Sequence, residues 1–287
     1  MIDFITDFGN YLKTHYPIHP LWADLLSATT LASVLTEDTF FRNNFGRNRC
    51  NLWIAYLAPS GDFKSVPIDE CVIPLLRYLT SWYAKNTGQP RYFILPSIAS
   101  SVEGMIKHLA EFNSRGLIYR DELTTLFKES LHKDYLTDEF ELYSKFYDGI
   151  IPPRETMKFN LREPLEVYVN LVGATTPQHL YHNLSLQFFF QGCGNRWLYV
   201  RHQVPKRAYQ EEELFVRDPP NWTKEELPTD LMKFADALIE ASKTVVEFTI
   251  DPEAEKISTH FFNEREELRF ELMKSTNPFI AEYVRRD

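Results

Sequence analysis

Two short pairs in this 287-residue chain combine residue types that work together in phosphate chemistry: Lys64-Ser65 and Asp121-Glu122. The first closes an eight-residue stretch, Ala58-Pro59-Ser60-Gly61-Asp62-Phe63-Lys64-Ser65. It lies between a compact apolar run and a helical pattern, the setting that a phosphate-wrapping loop requires. Backbone N–H groups of Ser60, Gly61, Asp62, Phe63, Lys64 and Ser65 can then face phosphate oxygens. The Lys64 ammonium can reach the β and γ oxygens of ATP, and the Ser65 hydroxyl can bind Mg²⁺. Ala58 stands where the pattern has its first glycine and Phe63 where it has its last, so the Phe63 ring must turn away from the phosphates. The competing reading is an ordinary strand-to-helix turn with a surface lysine.

The second pair ends another apolar run, Gly116–Arg120, in which Arg120 is off pattern. An aspartate at such a strand end holds Mg²⁺ through water, and the following glutamate acts as general base on the attacking water. Acidic residues also favour the first turn of a helix. That preference does not explain why the pair falls 57 positions after Lys64, with one strand–helix unit between. This spacing is the layout of the P-loop ATPase branch that carries a catalytic glutamate.

Further along, Thr175 and Thr176 end a fourth apolar run, expected between the phosphate strand and the acidic strand. Thr176 can sense the γ-phosphate there, or it can simply start the turn at Pro177. Arg196 opens a fifth run and reads as a finger for a neighbouring subunit's nucleotide. Arg201 is the alternative, and a plain charged strand end the competing reading. Residues 148–164 place Arg154, Lys158 and Arg162 at spacing four in a projecting segment. These three can contact DNA phosphates, although Glu155 and Glu163 dilute the charge and a solvated loop fits too.

These residues need a scaffold. Residues 2–14 and 20–36 have helical spacing, with Pro17 and Pro20 between them. Strands are expected at Asn51–Ala58, Tyr92–Leu95, Gly116–Arg120, Leu165–Gly173 and Trp197–Arg201. Helices are expected from Lys64 to about Ala84, from a Ser100/Glu103 capping box to about Phe112, from Asp121 through Leu131, and at Thr137–Tyr147. Strands alternating with helices imply an α/β fold with a mainly parallel five-stranded sheet covered on both faces. Beyond residue 205 the pattern becomes helical and acidic, at Lys224–Ser242 and Pro252–Ser275, with a possible strand at Thr244–Ile250. The expected division is an N-terminal helical segment (1–48), a core (49–204) and a helical C-terminal subdomain (205–287).

Charge narrows the partners. Residues 1–204 carry 19 Lys and Arg against 21 Asp and Glu, and residues 205–287 carry 12 against 19, which together give the net −9. A chain so acidic is no general nucleic-acid binder, so any DNA contact needs a local basic surface. The three cysteines, Cys50, Cys71 and Cys193, form no framework, which suits a reducing, cytoplasmic interior. No apolar run is long enough for a membrane helix.

The segments APSGDFKS, SSVEGMIKHL, GLIYRDEL, KFYDG, VNLVGATTPQHL and GCGNRWLYV occur in this order. Together they resemble a family of P-loop proteins of unknown function encoded by phages, plasmids and prokaryotic genomes, similar to the helicase part of primase–helicase replication proteins. The likeness covers roughly residues 20–205. It implies a RecA-like core of the ASCE type, ATP and Mg²⁺ as cofactors, and a role in DNA replication or mobile-element maintenance. By position it implies Lys64, Ser65, Asp121 and Glu122 as site residues, Thr176 as sensor and Arg196 as finger. Members often tolerate a non-glycine before the lysine. The leading expectation is a motor that binds MgATP at a subunit interface, possibly in a ring, and moves on single-stranded DNA. The rival is a pseudo-ATPase that serves as a binding or scaffold module in a replication or virion complex. A third reading, a small-molecule phosphotransferase, would want an arginine-rich lid.

Overall fold

Burial along Trp53–Leu57 explains the centre of the molecule. Trp53, Ala55 and Leu57 join one hydrophobic cluster, Ile54 and Tyr56 join another, and all five are buried. A strand apolar on both faces must be covered on both, as in a parallel sheet between helices. The computed structural model has that sheet. It describes residues 3–36, 38–43, 46–89, 91–96, 102–111, 114–124, 137–156, 159–183, 192–201 and 227–274.

In chain order, α1 (Phe4–His15) and α2 (Pro20–Ala32) precede a hairpin of β1 (Phe40–Asn43) and β2 (Gly46–Arg49). Then come β3 (Trp53–Leu57), α3 (Ile73–Thr87), β4 (Ile94–Leu95), α4 (Val102–Glu111), β5 (Arg115–Arg120) and α5 (Thr137–Asp148). Four short strands follow: β6 (Ile150–Ile151), β7 (Arg154–Thr156), β8 (Phe159–Leu161) and β9 (Leu165–Glu166). They lead into β10 (Tyr168–Thr175), α6 (Pro177–Asn183) and β11 (Leu198–Arg201). The last elements are α7 (Thr229–Ala241), β12 (Glu247–Thr249) and α8 (Pro252–Lys274).

The main sheet has the order β11-β3-β10-β5-β4, and every neighbouring pair is parallel. The fourth of its strands in sequence, β10, thus lies between the first, β3, and the third, β5. All eight β10 residues are buried. On one face Ile54, Tyr56, Leu117 and Val172 pack with α1, α2, α3 and α7, and the Trp22 ring stacks on Tyr56 at 4.4 Å. On the other, Trp53, Ile118, Val169 and Leu171 pack with Met105, Ile106 and Leu109 of α4 and Leu142 and Phe146 of α5.

Several expectations shift. The fourth strand starts at Tyr168 and runs to Thr175, because Leu165–Glu166 pairs instead with Ile150–Ile151. The hairpin of β1 and β2 was not expected: its residues, FFRN and GRNR, lack apolar alternation. It is held by β12, which adds in parallel to β1. α7 does not build a core of its own. Phe234 packs on Phe4, Phe8 and Tyr11, and Tyr83 of α3 hydrogen-bonds Ser242 Oγ at 2.6 Å. The Ser100 cap and the helix expected through Leu131 lie outside the described residues. No helix among the described residues is long and apolar enough to cross a membrane.

Candidate functional site

The loop at Ala58–Ser65 leaves the carboxyl end of β3, where open parallel sheets place their ligands. Two of its residues have left-handed backbone: Gly61 (φ 92°) and Phe63 (φ 46°). Gly61 adopts this freely, whereas a side chain there costs about 1–2 kcal/mol. Phe63 therefore keeps the path a glycine would take, and its ring is 41% exposed instead of buried in the loop. Among the described residues, the amides of Gly61, Phe63, Lys64 and Ser65 donate to no protein acceptor. Four such amides at the start of a helix favour an anion. Lys64 Nζ donates to the Ala58 carbonyl at 3.2 Å, folded back across the loop.

The helix that follows begins with a π-helical turn, Ile68–Val72, in which Ile73 N–H bonds the Ile68 carbonyl. Pro74 explains the widening. It has no N–H, and its ring would clash with the Glu70 carbonyl in a regular helix. The wide turn carries Asp69, whose amide bonds the Ser65 carbonyl.

Across from this turn, β5 alternates: Leu117 and Tyr119 face α3, while Ile118 faces α4. The Tyr119 hydroxyl donates to Asp121 Oδ1 at 3.3 Å and lies within hydrogen-bonding reach of Ser65 and Asp69. Burial pushes the phenol far above its ordinary range, and the charges of Asp69 and Asp121 add to this. Burial also raises the Asp69 carboxyl, helped by the negative charges of Asp121 and Glu70 and opposed by Arg77 and the Tyr119 bond. One hydroxyl and two carboxylates thus surround one phenol. These hard oxygens suit a magnesium-type cation. Among the described residues no group of three or more His, Cys, Asp or Glu can hold a metal alone, so phosphate and water oxygens would have to complete its shell.

Glu122 is held separately. Its Oε1 accepts from the Thr124 amide (3.2 Å), the Thr124 hydroxyl (2.5 Å) and the Thr175 hydroxyl (2.7 Å). Oε2 faces His179 Nδ1 at 3.6 Å. Burial raises this carboxyl, but the bonds from Thr124, Thr175 and His179 outweigh it and keep the pKa below the ordinary value. Glu122 is therefore an anion at neutral pH, as a proton acceptor must be. The neighbouring Thr176 caps α6 by accepting from the His179 amide.

Lys64, Ser65, Asp121, Glu122, Thr175 and Thr176 therefore share the carboxyl edge of the sheet. Arg201 is level with Leu57 on that edge. Arg196 is not among them. It precedes β11 at the amino edge, where it bonds Asp148 Oδ1 at 2.8 Å and the Gly192 carbonyl at 2.6 Å. The Asp148–Pro164 segment does form a hairpin, β7 against β8, and it too leaves from the amino edge, on the β6–β9 ladder. Arg154 opens it, Arg162 follows its second strand, and Lys158 lies outside the described residues. Tyr119, Asp69 and His179 were not singled out for this site from sequence. Each has a signal in hindsight: Tyr119 two residues before Asp121 on a strand, Asp69 four after Ser65, and His179 in the first turn beyond the Thr175 strand tip.

No family model matches the chain, and no curated protein matches it.

Proposed function

We propose that this chain is a P-loop ATPase of the RecA-like class, helicase-like, that acts on DNA during replication of a virus, plasmid or mobile element. One observation carries the reading: Lys64-Ser65, Asp121 and Glu122 meet at the carboxyl edge of one parallel sheet, on β3 and β5, with Thr175 of the intervening β10 bonded to Glu122. An ordinary strand-to-helix turn with a surface lysine has no reason to be matched by a phenol that joins its serine to an acidic strand end.

In this reading the loop amides and Lys64 bind the β and γ phosphates of ATP. Ser65 and Asp121 would hold Mg²⁺, which supplies charge neutralisation on the phosphate oxygens. Water attacks the γ-phosphorus, the bond to the β-phosphate oxygen breaks, and Glu122 takes the water's proton. ADP and phosphate leave. Thr175, more directly than Thr176, orients Glu122. Arg196 would have to leave its Asp148 ion pair to reach a neighbouring subunit's nucleotide. Arg154, Lys158 and Arg162 would meet single-stranded DNA.

The second reading, a nucleotide-binding module without turnover, is favoured by Glu122 itself, one of whose oxygens is saturated by Thr124 and Thr175. ATP hydrolysis with and without single-stranded DNA, in wild type, Lys64→Ala and Glu122→Gln, separates the two. The motor requires turnover in wild type that both substitutions abolish. Nucleotide binding without turnover in wild type establishes the module instead.

A further inference from the structure

Arg120 ends β5, one residue before Asp121 and opposite Gly173 of β10. The alternation that turns Tyr119 toward α3 turns Arg120 to the other face, the side of Ile118. The residue is 7% exposed. Its Nε is buried without a hydrogen-bond partner. Among the described residues the guanidinium forms no hydrogen bond and no ion pair, with Asp121 and Glu122 included. A guanidinium cannot shed its proton to escape burial. The Nε proton is therefore an unmet buried donor, while the two terminal nitrogens are not among the buried unpaired atoms and reach solvent, where an anion can meet them. Buried arginines are ordinarily matched by carboxylates, and this one stands beside two without touching either.

We propose that Arg120 is the anchor of a second oxyanion site, on the α4 face of the same sheet edge, which takes a phosphate group. The guanidinium fork matches two oxygens of a phosphate at once and binds them in pairs where shielded from water. The carboxyl edge already presents the unpaired loop amides, and Arg120 adds a cation that offsets the carboxylates of Asp121 and Glu122 beside it. Glu122 is the next residue of the same parity, so an anion held by Arg120 lies on the Glu122 side of β5 and not on the Asp121–Ser65 side. The site stands on the unpaired charge alone and does not require that ATP be hydrolysed.

The test compares wild type, Arg120→Met, Arg120→Lys and Lys64→Ala by thermal unfolding, first without phosphate and then with millimolar inorganic phosphate at constant ionic strength. Methionine keeps the length of the side chain and removes the charge. R120M is expected to melt at or above wild type without phosphate, since it removes a buried donor that has no acceptor. Phosphate binding by R120M is expected to be at least about tenfold weaker, the loss of one charge-assisted pair, with partial recovery in R120K. K64A should keep the phosphate response of this site, which distinguishes it from the nucleotide loop and leaves it standing if the ATPase reading fails. A non-hydrolysable ATP analogue compared with ADP, and a single-stranded oligonucleotide, then identify the source. A γ-phosphate ligand removes the preference of wild type for the analogue in R120M, and a nucleic-acid ligand weakens the oligonucleotide instead. An R120M protein that fails to fold or melts below wild type overturns the proposal, because Arg120 then has a structural partner. Equal phosphate binding by R120M and wild type overturns it too.

Discussion

Adding one methyl group at Gly173 should disturb Glu122 from inside the sheet. Gly173 pairs with Ala55 on one side and Arg120 on the other, so its backbone is held between two strands. A Cβ placed there would sit 2.6 Å from Leu123 Cδ1 and 3.0 and 3.1 Å from its Cβ and Cγ. Carbon atoms rest at about 3.5–4.0 Å, so about 1 Å must be found. Leu123 is wholly buried, and its amide is fixed to the Ala174 carbonyl at 3.0 Å. Overpacking of this kind costs about 1–3 kcal/mol. Replacing glycine by alanine returns about 0.4–1 kcal/mol through the unfolded chain, which leaves a net loss of about 1–2 kcal/mol. Leu123→Ala alone should cost about 2–5 kcal/mol through the cavity it leaves. In the double variant the new methyl group occupies part of that cavity, so the combined loss should fall short of the sum by about 1 kcal/mol or more. Urea unfolding of the four proteins measures this; under the proposed ATPase function, Gly173→Ala should also lower kcat more than it changes KM as Glu122 moves with Leu123. Additive losses within about 0.5 kcal/mol, or a Gly173→Ala protein as stable as wild type, would refute the reasoning.

Thr175→Val removes one donor from Glu122, so its carboxyl should titrate at higher pH. The depressed carboxyl contributes stability above its unfolded pKa and loses it as pH falls through the folded one, so the acid limb of ATP turnover should move up in pH; an unmoved limb would show that Thr124 alone sets the charge. Phe63→Gly should leave stability unchanged or raise it by up to about 1 kcal/mol, strain relief less the entropy of glycine, whereas Phe63→Val should lower it, both read by urea unfolding. Tyr83→Phe should cost about 1 kcal/mol by breaking the buried bond to Ser242; no loss in urea unfolding would mean that α7 is not coupled to α3.

The sheet was legible because its strands are short apolar runs with turns between them, and in β3 and β10 burial on both faces leaves little freedom for other residue types. The placing of β10 between β3 and β5 was expected only from the layout that the Lys64-Ser65 and Asp121-Glu122 spacing suggested, and the sheet has that order. The β1–β2–β12 sheet was not legible, since FFRN, GRNR and EFT carry no alternation and their pairing depends on residues some 200 positions apart. At the candidate site the pairs with a recognised spacing stood out, Lys64-Ser65 and Asp121-Glu122. Tyr119, Asp69 and His179 did not, because only the fold shows that a strand residue, a widened helix turn and a helix start converge. Arg120 looked like a flaw in an apolar strand. Thr175 and Thr176 were indistinguishable until the pleat gave Glu122 to one and the helix cap to the other.

The packing of α7 sets the order of events when the chain is made. Phe8 in the first helix meets Phe234 at 5.0 Å, and the sheet edge at Phe40 meets Glu247. Contacts so distant in sequence form late and slowly. During synthesis every residue of the candidate site leaves the ribosome before Thr229 does, while Phe4, Phe8 and Tyr11 wait with their aromatic surface bare. Such surface invites aggregation. The nascent chain should therefore be a client of chaperones until its final third arrives, and the acidic charge concentrated in that final third helps keep the chain soluble as it docks.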